Sequence, residues 1–142
     1  MTVTVTRLVP HVSLPRYETA GAAAFDLAAA ADVEVPPRGI RLVPTGLVVQ
    51  VPAGYFLAIL ARSSTPLKRG LMVANGVGVV DSDYCGPADE VKIQVINVTD
   101  APVTVQRGDR IAQGMVLAAP RVSFVEGAAE GPSRGGFGST GH

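Results

Sequence analysis

The sequence predicts an all-β sandwich or barrel on three observations. Apolar and β-branched residues alternate along most of the chain, the alternating runs are short, and Gly/Pro turn signals separate them. The first run is "TVTVTRLV" at 2–9. "AGAAAFDLAAAAD" at 20–32 stays open, because its alanines favour helix while Phe25-Asp26-Leu27 suits a strand end. "DVEV" at 32–35 and "IRLVPTGLVVQV" at 40–51 flank the turn Pro36-Pro37-Arg38-Gly39, and "YFLAILA" at 55–61 follows Pro52-Ala53-Gly54. The one predicted helix is "SSTPLKRG" at 63–70, with Ser63 or Ser64 as N-cap, Pro66 in the first turn and Gly70 as the stop. "LMVANGVGVV" at 71–80 and "EVKIQVINV" at 90–98 lie on either side of Gly86-Pro87. "PVTVQRGDRIAQGMVLA" at 102–118 and "RVSFVE" at 121–126 complete the strands.

This places one β domain over 1–126 and a Gly-rich arm over 127–142. Six of the sixteen glycines fall in the last sixteen residues, so the arm adds nothing to a packed core and is expected to be flexible, yet it carries Phe137. Either it is an idle terminus or it works on something.

The chain has 142 residues, enough for one core without staples. Twelve basic and twelve acidic residues cancel, and the pI is near 6.7, which argues against a general grip on nucleic acid or on an anionic membrane. A single cysteine and the absence of a basic-then-apolar leader point to the cytoplasm, and no apolar run is long enough to span a bilayer. Two histidines and one cysteine give no zinc site of the usual kind. His11, in a Pro-flanked segment, has no triad partners, and Cys85 has no base nearby.

What remains is oxygen chemistry. In "GVVDSDYCG" at 78–86 the aspartates are either solvated turn formers, or Asp81 orients and deprotonates a water beside the flat ring of Tyr84. "ARSSTPLKRG" reads either as ordinary capping or as an anion site in which Arg62 offers a planar fork to phosphate oxygens. The Walker pattern is absent. In "RGDRIAQG" Gln113 is a polar group among apolar neighbours, and Asp26 is a lone acid in an apolar setting, suited to a satisfied buried carboxylate or to a metal's outer shell. Carboxylates, hydroxyls and an arginine suit Mg²⁺ bridging phosphates.

In order along the chain, "AGAAAFDLAA", "ARSST", "NGVGVVDSDYCG", "RGDRIAQ" and "RGGFGSTG" resemble the five motifs of the trimeric all-β deoxyuridine triphosphatases, the dUTPases. They span residues 20–141, and although each alone is weak, the ordered set is specific. The resemblance implies a jelly-roll-like subunit with one short helix, and a homotrimer whose sites are shared between subunits. It also implies Mg²⁺-dependent cleavage of dUTP to dUMP and pyrophosphate, which keeps uracil out of DNA and supplies dUMP for dTMP synthesis. By the same resemblance Asp81 would activate the water that attacks the α-phosphorus, and Tyr84 would lie against the deoxyribose. Asn75 and the main chain around Val79, Val80 and Lys92 would read uracil; Arg62, Ser63, Ser64 and Gln113 would hold phosphates; Asp26 would touch Mg²⁺ through water. The tail would be an arm that closes over a neighbouring site, with Phe137 on the uracil and Ser139 and Thr140 at the γ-phosphate.

Two features depart from the pattern. Arg134 stands three residues before Phe137, closer than the family's usual spacing for the arginine that meets the γ-phosphate, and the Cys85–Glu90 turn is longer than the commoner form. The related dCTP deaminases share the fold and an Arg-Ser-Ser-like segment, but Asp81-x-x-Tyr84 and the Gly-Phe-Gly-Ser-Thr arm follow the dUTPase pattern. A noncatalytic trimeric β-module is the reading from a different class.

Overall fold

The computed structural model describes residues 1–139 and 141. Among them stand eleven strands and one helix: β1 (Thr4–Arg7), β2 (Phe25–Ala28), β3 (Val33–Val35), β4 (Ile40–Pro44), β5 (Leu47–Gln50), β6 (Tyr55–Ala61), α1 (Ser64–Arg69), β7 (Leu71–Val73), β8 (Gly78–Val80), β9 (Lys92–Asn97), β10 (Val103–Val105) and β11 (Arg110–Ala118). A four-stranded sheet runs β2-β11-β6-β8 and a three-stranded sheet runs β4-β9-β7, with the pairs β1-β5 and β3-β10 closing the sides. Every pairing is antiparallel. Leu27, Leu57, Ile59 and Ile111 from the larger sheet meet Val43, Leu71, Ile93 and Val95 from the smaller in one dry core, which makes a jelly-roll-like sandwich.

Local chemistry explains where the long apolar runs break. The run 40–51 splits at Thr45-Gly46, where Gly46 has φ +67° and a side chain would collide with Val12 and Val9. The run 71–80 splits at Ala74–Val77, closed by Gly76 N–H to Val73 O at 3.0 Å, so that β7 and β8 enter different sheets. The run 102–118 splits at the Arg107–Asp109 turn. The ambiguous segment 20–32 resolves as strand at Phe25–Ala28, because Gly114 on β11 leaves room for the Phe25 ring; a Cβ there would stand 2.6 Å from it. Burying that ring outweighs the helical preference of the flanking alanines.

Two expectations fail. Residues 121–126 form no strand, and Phe124 is 94% exposed, with Val122 and Val125 exposed beside it; an alternating segment becomes a strand only by pairing at a sheet edge, and this one pairs with none of the described strands. At the helix start Ser63 takes helical angles and makes no side-chain capping bond, so its hydroxyl is left unused by the helix. The stop is as expected, with Gly70 left-handed at φ 64°. Thr65 pins the helix down by donating to Ile111 O at 2.8 Å.

Two polar knots hold turns in place. Buried Asn97 donates to Val35 O (3.0 Å) and Ala101 O (2.7 Å) and accepts from Thr99 N (2.9 Å) and Thr99 Oγ1 (2.7 Å), which uses all four of its hydrogen-bonding capacities. Asp109, in the turn before β11, accepts from Arg69 at 2.7 Å and from Gln106 N at 2.9 Å. The Arg69 bond holds the Asp109 carboxyl below the usual aspartate value of 3.8, against the opposing effect of burial. A carboxylate with a depressed folded pKa adds stability that is complete above its unfolded pKa and is lost as pH falls through the folded one. Asp109→Asn should therefore melt lower than the wild type at pH 7 and lose less stability on acidification below about pH 4. Thermal melts across that range check this; identical acid limbs would remove Asp109 from the account.

Candidate active site

β6 is hydrogen-bonded along both edges, to β11 through Ala61↔Ala112 and Leu60↔Gln113 and to β8 through Leu57↔Val80 and Ile59↔Gly78. The sequence places a different set of polar groups at each of its ends.

At the C-terminal end, Arg62 leaves the strand and its Nε lies 2.8 Å from Asp26 Oδ1, while its Nη1 donates to Arg110 O at 2.9 Å. Asp26 Oδ2 accepts from Arg110 Nη1 at 2.9 Å. The same Arg110 nitrogen lies 3.5 Å from Glu18, which is itself 3.2 Å from Arg16. Register makes this cluster. Gln113 on β11 faces Asp26 on β2, and a shift of register between Arg110 and Ala112 re-aims Arg110 across Asp26. Gln113 Nε2 donates to Ala61 O at 3.0 Å, one residue from Arg62. The Arg62 and Asp26 side chains are 28% and 16% exposed, so solvent screens them only in part. Three guanidiniums (Arg16, Arg62, Arg110) against two carboxylates (Glu18, Asp26) leave an excess positive charge, which suits an anion. Ser63 is exposed and Ser64 half-buried beside this group, and a cleft of about 630 Å³ opens next to it, lined by His11, Arg16, Glu18, Asp26, Arg107 and Arg110.

At the other end, Asp81 follows β8 directly. It lines a hollow of about 390 Å³ with Tyr55, Phe56, Asp83 and Arg121. Tyr84 closes a turn on it, its N–H bonding Asp81 O at 3.1 Å, and the Tyr84 hydroxyl donates to Glu90 O at 3.1 Å. Val79 points outward, Val80 is half-buried, Asn75 lies exposed in the turn before β8, and Lys92 lies exposed at the start of β9. Since Val80 pairs with Leu57, Asp81 sits near Phe56, six residues from Arg62 along β6. At the rise of a strand that is roughly 20 Å. One chain thus brings Asp26, Arg62 and Gln113 together and keeps Asp81 and Tyr84 well away from them.

Past Arg121, which borders the Asp81 hollow, no described residue of the tail lines either cleft. Ala119 N–H bonds Gly54 O at 2.8 Å, and among the described residues none from Pro120 onward hydrogen-bonds to the β domain. Arg134, Phe137 and Ser139 are exposed; Ser139 Oγ accepts from Gly136 N at 2.6 Å, and Phe137 has φ +49°. Thr140 lies outside the described residues.

Sequence reasoning passed over Arg110 and Glu18. Arg110 stands inside "RGDRIAQ", but in a regular strand it would point to the same side as Ala112, and only the irregularity after it turns it onto Asp26. Nothing in the local pattern of Glu18 marks it.

Fold and site together define a small all-β protein of jelly-roll-like form, with polar groups suited to a phosphorylated ligand at its sheet ends. A family model described as dUTPase matches residues 11–141. A deoxyuridine 5'-triphosphate nucleotidohydrolase of Wolinella succinogenes is 44% identical over 144 residues, covering 99% of this chain and 95% of its own. The crystal structure of dUTPase from Streptococcus mutans superposes with a TM-score of 0.77 at 35% identity, over 83% of this chain and 98% of that one. The dUTPase of Staphylococcus bacteriophage 80alpha with dUPNHPP shares the fold at 23% identity, with a TM-score of 0.83 over 99% of this chain and 98% of its own. The chain belongs to the dUTPase family.

Arg62→Lys keeps the charge but loses the fork that reaches Asp26 and the Arg110 carbonyl together. The melting temperature should fall by roughly 3–8 °C, the loss of one or two charge-assisted hydrogen bonds. An unchanged melt would mean that the fork is not engaged in solution.

Proposed function

We propose that the protein hydrolyses dUTP to dUMP and pyrophosphate, keeping uracil out of DNA and supplying dUMP for dTMP synthesis, and that it does so in the cytoplasm as a homotrimer with shared sites. Family membership supports the substrate. The assembly rests on one observation, the separation of Asp81 from Arg62 along β6. A triphosphate is shorter than that gap, so one chain cannot hold the phosphates with Arg62 and attack them from Asp81. A site completed by a second chain removes the difficulty. The exposed apolar side chains Ile40, Leu42 and Met72 on the smaller sheet, and Val122, Phe124 and Val125 after β11, support a state in which neighbouring copies cover them. No helix among the described residues is long and apolar enough to cross a membrane.

In this reading Asn75 and the main chain of Val79, Val80 and Lys92 take the uracil edge, and Tyr84 lies against the sugar and leaves no room for a 2′-hydroxyl. Arg62, Ser63, Ser64 and Gln113 from another subunit hold the phosphates. Asp81 accepts a proton from the water as its oxygen attacks the α-phosphorus, and pyrophosphate leaves. Before that step the arm beyond 126 closes, Phe137 on the base and Ser139 and Thr140 toward the γ-phosphate, and expels water so that charge interactions strengthen. Arg134 reaches the same phosphate only if the shortened spacing allows it.

Mg²⁺ is the cofactor this chemistry calls for. Among the described residues no group of three His, Cys, Asp or Glu side chains could hold a metal ion. Asp26 has one oxygen on each of two guanidiniums, which leaves it lone pairs to meet the ion's water shell. That donor set fits an ion carried mainly by the triphosphate, where it would neutralise phosphate charge.

Pyrophosphate release from dUTP, with and without Mg²⁺ and with dCTP as control, tests the activity; release of deoxyuridine nucleotide from dCTP would favour a deaminase instead. Asp81→Asn should bind nucleotide yet turn over at least about 100-fold more slowly, as expected for loss of a general base. Near-normal turnover would take that role from Asp81. A chain ending at Glu126 should sediment as a trimer and hydrolyse poorly; full activity would make the arm idle, and a fully active monomer would refute shared sites.

A further inference from the structure

The turn that leads from Tyr84 into β9 closes on itself and is then fastened to a distant part of the chain. Asp89 Oδ2 accepts from Gly86 N at 2.7 Å and Asp89 N donates to Gly86 O at 3.0 Å, which folds the lengthened Cys85–Glu90 segment into a self-contained loop. Glu90, whose N–H donates to Ala88 O at 3.0 Å, then makes two bonds of longer range. Its main-chain oxygen accepts from the Tyr84 hydroxyl at 3.1 Å, and its carboxylate Oε1 accepts from Gly46 N at 2.8 Å.

Gly46 is a stiff anchor. It sits in the left-handed region at φ +67°, and its Cα is so closely walled that an added Cβ would stand 2.8 Å from Val12 and 2.9 Å from Val9. The residues on either side of it grip the same stretch: Thr45 Oγ1 donates to Val91 O at 2.5 Å, and Val91 N donates to Leu47 O at 2.8 Å. Thr45, Gly46 and Leu47 thus hold Glu90 and Val91 as a unit.

Tyr84 needs such a hold. The residue is 43% exposed, and among the described residues its only side-chain hydrogen bond is the one to Glu90 O. Whatever sets the Glu90 carbonyl sets the ring. We propose that Glu90 is a positioning residue for substrate choice: its carboxylate, tied to Gly46 N, holds the main-chain oxygen that aims the Tyr84 ring at the sugar. The proposal rests on the reading in which Tyr84 borders the deoxyribose. The side chain of Glu90 touches no substrate and acts through Tyr84 alone.

The test compares the full-length protein with Glu90→Ala, Glu90→Gln and Tyr84→Phe, measuring kcat/KM for dUTP and for UTP, melting temperature and the ring resonances of Tyr84, one of only three tyrosines. Glu90→Ala should lower the dUTP-to-UTP preference by roughly ten-fold, the scale of one ordinary hydrogen bond. Glu90→Gln keeps an oxygen acceptor at the same reach and should restore the preference to within about three-fold of wild type. Tyr84→Phe should lose the preference to the same extent with little change in melting temperature. If Glu90→Ala lowers the melting temperature but leaves the preference intact, Glu90 is merely structural and the proposal is overturned. A wild type that cleaves neither nucleotide overturns the functional reading instead. The ring resonances then still decide the anchor: they should shift in Glu90→Ala and return in Glu90→Gln, and unchanged resonances overturn it whatever the activity.

Discussion

The stiffness of β6 is the constraint on which the rest of the structure depends. A strand bonded along both edges cannot fold back on itself, and the middle of β6, from Leu57 to Ile59, is buried in the core. Its ends are therefore held apart by its own seven residues. The groups suited to phosphate gather at one end and the acidic hairpin at the other, and on the proposed function each would be half of a site. On the proposed function, association would then be a requirement of the chemistry rather than an addition to it, because the span of β6 within one subunit exceeds the reach of a triphosphate.

The cluster at the C-terminal end of β6 has its own logic. Compared with an apolar pair of the same shape, partly buried ion pairs add little net stability, although breaking one partner's contacts is costly. Their value lies in readiness. Arg62 has already lost much of its water to Asp26 and the Arg110 carbonyl, so on the proposed function an incoming phosphate oxygen would exchange one anionic partner for another and would not have to strip a hydrated guanidinium. Arg110 would make the exchange tolerable, for its own pair with Asp26 would keep that carboxylate from being left unpaired.

The strands were legible because alternation is a local signal, and the turns at Arg38-Gly39, Pro52–Gly54 and Arg107–Asp109 were legible because glycine and proline announce them. What could not be read was anything set by distant neighbours. Runs 40–51 and 71–80 look continuous, and only the packing of Val9 and Val12 over Gly46, or the entry of β7 and β8 into different sheets, explains their breaks. Phe25 defeats the helical bias of its alanines because Gly114, 89 residues later, leaves space for a ring. For the site, residue types pointed to Asp26, Arg62 and Gln113, which the sheet brings together. Arg110 escaped notice because an irregular register, invisible in local spacing, decides where its side chain goes.

The segment after β11 carries the same lesson one level up. "RVSFVE" has the alternation of a strand, and in the folded chain it finds no edge to join. In the proposed assembly a neighbouring copy would cover it, for three exposed apolar side chains in four residues are costly to leave in water. Docking this segment on a neighbouring copy would also carry the arm that follows it away from its own β domain. The arm's reach would then be set by where that segment is seated, and the closing of Phe137 over a base would be coupled to assembly. The strand signal and the glycine-rich end, which look unrelated in the sequence, would then be two parts of one requirement: on the proposed function, a site built from several chains would need a covering piece delivered from outside the subunit that holds the base.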